Sequence, residues 1–148
     1  PMRMLSGVID NTLDVAASLN LDAVRISRTP LFTAFAGMGQ LIGRLGLFTL
    51  SELSLWKAKR RHFRVPDHFE GIVAGEAVHE GHFLHILKDL RPGTTEVMMH
   101  PGTDNEKLIP ACDWEHDFEA EMQASGSPKV RRMIADKAVK VVNYRDLK

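Results

Sequence analysis

Residues 79–85 read His-Glu-Gly-His-Phe-Leu-His, which sets the imidazoles of His79, His82 and His85 and the carboxylate of Glu80 within one short segment. Nitrogen and carboxylate donors at such density raise the question of a bound metal. In the zinc-protease helix H-E-x-x-H two histidines one turn apart hold the ion and the acid serves as base. Here the spacing is H-x-x-H-x-x-H. At about 100° per residue the three rings fan over about 120° of a helix wheel, so adjacent pairs can share an ion but all three cannot. Gly81 also weakens a helix at this point by about 1 kcal/mol relative to alanine. The segment therefore reads as histidines on the surface of an amphipathic helix, or behind a site, rather than as a metal centre.

His100 is placed differently. It ends the apolar, β-forming run TTEVMM, is stiffened by Pro101, and is followed by Gly102, which lets a ligand approach the backbone. The alternative is a buried histidine hydrogen-bonded to a neighbouring loop, and spacing alone leaves both readings open. Arg25 and Arg28 stand at the end of DAVRIS, before Thr29 and Pro30, where a guanidinium can orient a carboxylate or bind substrate oxygens. Asp67 and His68 fall in the loop VPDHFEG, whose proline and glycine mark the kind of segment that carries function.

The elements that must position these residues alternate. Residues 8–19 have helical spacing, with Asn20 as a stop, and 22–27 read as a short strand. The apolar stretch from 31 to 62 carries Gly37, Gly39, Gly43 and Gly46. It is expected to be broken or mobile in its first part, with Ser51 capping the helix that follows. Residues 76–90 predict a helix, 94–101 a strand, 113–124 and 128–137 two helices with Pro128 in a first turn, and 138–144 a last strand. Such alternation indicates a parallel sheet wrapped by helices, with the chemistry at the carboxyl ends of its strands.

Composition narrows the function classes. Lys plus Arg and Asp plus Glu both number 19, so no net field favours nucleic acid or an anionic membrane. The basic run 57–64 reads as a solvated helix end rather than a phosphate site. The apolar run 31–43 is too short for the roughly 18 residues of a membrane span. The single cysteine, Cys112, has no partner for a disulfide or for nucleophilic work, and with no leader at the start a cytoplasmic protein is expected. Trp56 and Trp114 can stack on sugar rings but at helical spacing read as core. Glu115, His116, Asp117 and Glu119 read as a solvated helix face.

Four segments taken together, AVRISRTP (23–30), VPDHFEGI (65–72), TTEVMMHPG (94–102) and VKVVNYRDL (139–147), resemble the YdjC-like carbohydrate deacetylases, the group of the chitooligosaccharide deacetylases and the hopanoid-associated HpnK type. The resemblance spans most of the chain in the right order. It implies a metal-dependent hydrolase of distorted parallel (β/α) barrel fold, TIM-barrel-like, that removes acetyl groups from N-acetylated sugars or oligosaccharides. Water adds to the amide carbonyl while the cation, magnesium or zinc, polarises its oxygen. In that family the ion is held by the acid of an A-D-D-F-G motif and by histidines that include an H-x-H segment. This sequence contains neither motif, so the chain resembles the carboxyl-terminal half of such a barrel, and the resemblance places the metal ligands upstream and none within it. His100 matches the family's H-P-G and is the expected catalytic residue, with Arg25, Arg28, Asp67 and His68 on the substrate side. Residues 1–148 are expected to form one α/β domain or the carboxyl-terminal portion of one. Half a barrel has unpaired strand edges, so a homo-oligomer is expected, with an acetylated sugar as ligand and no nucleic acid or membrane span. The competing reading is a noncatalytic binding or assembly module that uses the basic helix and the apolar 31–48 segment.

Overall fold

The structure is a computed structural model that describes residues 2–27, 38–71 and 77–147. It is mixed α/β and mostly helical. In chain order the elements are α1 (Met2–Ser18), α2 (Met38–Arg60), β1 (His68–Glu70), α3 (Glu80–Lys88), β2 (Thr95–Val97), α4 (Asn105–Cys112), α5 (Phe118–Gly126), α6 (Pro128–Asp136) and a 3-10 turn at Tyr144–Asp146. The chain divides into two compact units, Pro1–Phe69 with Val142–Lys148, and Glu70–Val141.

The first unit is built on α1 against α2. Ile9, Leu13 and Ala16 recur at i, i+4 and i+7, as do Ser51, Leu55 and Ala58, so each helix presents one stripe. Leu13, Ala16, Ile26, Ala58 and Phe63 form the buried cluster where the stripes meet, with Ile9, Val24, Leu55 and Val65 at its margin. Polar residues of the basic run close the outside of this pair. Lys57 Nζ lies 2.5 Å from Asp10, and Arg61 reaches both Asp10 (3.2 Å) and Asp14 (2.6 Å). Arg64 pairs with Asp22 and also donates to the Leu147 carbonyl. The Arg64 hydrogen bond holds the Asp22 carboxyl below the usual aspartate range. Three of the five cations of the basic run are thus engaged with acids of their own fold.

α2 differs from the expected broken segment. It runs without interruption through Gly39, Gly43 and Gly46, while residues 28–37 lie outside the described residues. A glycine costs a helix about 1 kcal/mol, but a long helix with a packed carboxyl-terminal half can carry that cost. Ser51 is not a cap. It lies inside α2, and its hydroxyl donates to the Phe48 carbonyl at 2.8 Å.

The second unit gathers α3, α5 and α6 around Val78, Leu87, Phe118, Ala124 and Val130, with α4 against α5. Glu80 at the start of α3 ties this unit together from outside: it accepts from Ser127 Oγ (2.5 Å) and Lys129 Nζ (2.8 Å). Those two bonds, Lys129 first, lower the Glu80 pKa.

Strands are fewer than the alternation predicts. Among the described residues β1 and β2 make one two-stranded sheet and no barrel. Residues 22–27 contribute only a parallel bridge between Ala23 and Arg64. The expected strand at 138–144 is coil leading into the 3-10 turn, whose Asn143 and Asp146 cap each other reciprocally. β-forming side chains make a strand only where a neighbour continues the ladder of hydrogen bonds, and among the described residues 22–27 meets one only at Arg64, which exchanges bonds with Val24 and Asp22, while 138–143 pairs with no strand. None of the described helices is long and apolar enough to cross a membrane.

Gly71 sets the geometry at the end of β1. Its φ is +95°, and a Cβ built there would lie 2.2 Å from the Met98 carbonyl oxygen. Both a left-handed backbone and a close backbone approach therefore demand glycine. Gly71→Ala is expected to lower stability by about 2–3 kcal/mol, read as a lower urea midpoint at unchanged m-value. An unchanged midpoint would show that the approach to Met98 is not required.

Candidate functional site

The segment after β2 is held from three sides. Met98 N–H donates to the Glu70 carbonyl at 2.9 Å, and Gly102 N–H donates to the Phe118 carbonyl at 2.9 Å. A Cβ on Gly102 would stand 2.3 Å from Leu108 Cδ1 and 2.9 Å from Phe118 Cβ. The glycine after His-Pro thus serves close packing of the loop on α4 and α5. The third tie is Glu121, whose carboxylate accepts the backbone N–H of His100.

α5 is started by Asp117, which accepts from Ala120 N–H at 2.9 Å and from the Asn105 side chain at 2.8 Å. The Asn105 bond, and after it the Ala120 bond, keep the Asp117 carboxyl below its usual range. Asn105 returns the contact by accepting from Glu119 N–H at 3.2 Å, so the first turns of α4 and α5 are fastened together. From that start the positions Phe118, Glu121 and Ala124 recur every three residues on the buried face.

Glu121 therefore sits where an apolar residue is expected, only 1 % exposed. Its two oxygens take up the backbone donors of two separate segments, Val78 N–H at 2.9 Å on Oε1 and His100 N–H on Oε2. His116 lies beside it, its side chain 3 % exposed, with Nε2 3.2 Å from Glu121 Oε1. That approach is not a hydrogen bond, because the ring N–H direction misses the oxygen, and neither His116 nitrogen has a hydrogen-bond partner. His100 completes the group: Nδ1 is 4.0 Å from Glu121 Oε2, and its side chain is 39 % exposed. Trp114 stacks on His116 with centroids 4.1 Å apart and meets His100 edge-on at 5.1 Å, so the cluster has an aromatic rim that is 40 % exposed.

This corrects the reading of 115–119 as a solvated helix face. Glu115 and Asp117 are exposed, but His116 is buried against Trp114, Phe118 and Glu121. The reason is that α5 begins at Phe118 rather than at Asp113, so His116 belongs to the turn that enters the helix and not to its outer face. The signal that could have found the site is Glu121 itself, a carboxylate in register with Phe118 and Ala124 on an apolar stripe, since buried acids require partners.

Of the other expected site residues, those described lie in the first unit. Arg25 is exposed in the first unit with its guanidinium 6.0 Å from the Phe69 ring centroid. Asp67 is exposed and His68 half-buried in that same unit. Arg28 lies outside the described residues. The 79–85 histidines behave largely as their spacing suggests. His79 is the N-cap of α3, accepting from His82 N–H at 3.4 Å, the two rings stack at 4.2 Å, and His85 faces Asp89 at 3.5 Å on the surface. Cys112 is exposed, and Trp56 is exposed beneath Arg60, so neither belongs to a core.

The family described as YdjC-like protein matches residues 2–136, and the chain belongs to that family. Comparison with curated proteins and with solved structures found no match. Among the described residues, His100, His116 and Glu121 offer two imidazoles and a carboxylate whose ligand atoms lie within 4.8 Å of one another, a set that could hold a metal ion, and neither nitrogen of the buried His116 has a hydrogen-bond partner.

Proposed function

We propose that this protein acts as a carbohydrate deacetylase, hydrolysing the acetamido group of N-acetylated sugars or their oligomers, with His100 at the reacting centre. The observation that carries the reading is the His100 loop. Its backbone is fastened to a buried carboxylate while its imidazole stays half-exposed beside an exposed tryptophan edge. Membership of the YdjC-like family supports it.

Amide hydrolysis needs a proton for the departing amine and a donor for the oxygen that becomes negative as water adds. His100 is the group suited to either task, because it combines solvent access with a fixed backbone. A divalent cation, when bound, supplies polarisation of the carbonyl. Glu121 acts by holding the His100 backbone rather than by touching substrate, and Trp114 offers an apolar edge against which a sugar ring can rest.

The test is acetate release from N-acetylglucosamine oligomers, measured with zinc or magnesium present. Release matched by an equal appearance of free amine is the expected result. Release of neither product from monomer or oligomer, by protein that is folded, would exclude the activity.

A further inference from the structure

We infer that His100, His116 and Glu121 form a divalent-cation site made wholly from this chain's own residues, selective for a zinc-like ion over magnesium. The inference shares its residues with the deacetylase reading but does not rest on the reaction.

Four observations converge. The three side chains each offer a ligand atom, and these atoms all lie within 4.8 Å of one another. His116 is buried with both ring nitrogens lacking a hydrogen-bond partner, a state that costs about 1–3 kcal/mol unless a water or an ion meets the nitrogen. The His116 Nε2 to Glu121 Oε1 separation of 3.2 Å, without hydrogen-bond alignment, is close to the spacing of two ligands on one ion. Zinc–nitrogen and zinc–oxygen bonds of about 2.0–2.2 Å at a tetrahedral angle put their donors about 3.3–3.5 Å apart. Finally, Glu121 has an oxygen lone pair to spare on each side, since each oxygen accepts one backbone N–H.

The widest spacing is at His100, whose Nδ1 stands 4.0 Å from Oε2, the oxygen of Glu121 not beside His116, on a half-exposed ring edge-on to Trp114 and His116. Two imidazoles and one carboxylate leave a fourth position open, which is the ligand count of a catalytic rather than a structural zinc site. Imidazole donors suit zinc and its transition-metal neighbours, whereas magnesium prefers an all-oxygen shell. In such a site Nδ1 of His100 would hold the ion and would leave Nε2–H free as a donor. This differs from the expectation that every ligand lies upstream.

The test is calorimetric titration of the chain with zinc chloride, paired with the visible absorption of cobalt(II) as a report on ligand type. One equivalent is expected to bind. Removing a residue that merely supports a ligand typically weakens a metal by about 10- to 100-fold, so His100→Ala and His116→Ala should each weaken zinc by about 100-fold or more and abolish the cobalt band. His79→Ala with His85→Ala should change neither. Circular dichroism checks folding, and His100→Ala, at a half-exposed position, decides the matter if His116→Ala does not fold. Absence of stoichiometric binding overturns the inference, as does zinc that persists in His100→Ala or is lost with His79 and His85; His116 and Glu121 are then a buried ion pair only. A protein that binds zinc as described but releases no acetate keeps this site and loses the deacetylase reading, and the reverse result does the opposite.

Discussion

On the proposed deacetylase reading, His100→Ala is expected to lower kcat for acetate release by about 10²- to 10⁴-fold, the range that a positioned proton or hydrogen-bond donor contributes to a transition state. The side chain is 39 % exposed and meets Trp114 and His116 only edge-on, so its removal should lower the urea midpoint only slightly. The fold of the loop does not depend on the imidazole, since it is the His100 backbone N–H that Glu121 accepts and the Gly102 N–H that Phe118 accepts. An equal fall in kcat and kcat/KM would place the lost interaction in the transition state alone. His79→Ala and His85→Ala provide the contrast: one caps α3 and the other sits on its surface, and each should change the rate by less than about threefold. Normal turnover by His100→Ala, or loss of activity only through unfolding, would make His100 a structural histidine.

Glu121→Ala is expected to cost about 3–5 kcal/mol of stability, the largest effect of any substitution considered. The carboxylate is 1 % exposed and accepts backbone donors from two segments, Val78 before α3 and His100 after β2. Alanine leaves both N–H groups buried without a partner, at about 1–3 kcal/mol each, and leaves a cavity where the side chain was. Glu121→Gln keeps one acceptor oxygen but turns an amide NH₂ toward the other N–H, so it should lose about half as much. Urea unfolding of the two variants at one pH measures the difference. Equal midpoints for Glu121→Ala and the parent protein would show that the two backbone donors are satisfied by water and that Glu121 does not hold the loop. Because Glu121 positions His100, the Gln variant should also lower kcat while it remains folded.

Local chemistry was legible in the sequence where it depends on near neighbours along the chain. The stripe of Ile9, Leu13 and Ala16 predicts a helix and one forms; Pro128 begins α6 as its missing N–H and fixed φ favour. The three histidines of H-x-x-H-x-x-H divide between a cap, a stack and the surface. His100, Pro101 and Gly102 stood out by order alone, and they lie within residues 2–136, which the YdjC-like family matches.

Only the tertiary structure decided the rest, because each remaining feature depends on a partner far away in the chain. A run such as AVKVVNY has strand propensity, yet propensity is worth little without a neighbour to complete the ladder, and the segment becomes coil and a 3-10 turn. His116 reads as one polar residue among several until Phe118 starts α5 and folds the preceding turn inward against Trp114. The bond between Glu121 and the His100 backbone spans 21 positions, a separation at which no periodicity carries information. A buried acid announces that it has partners but does not name them; which backbone N–H groups and which imidazole meet it is settled by how α5 packs, and that packing is what turns three separated residues into one site.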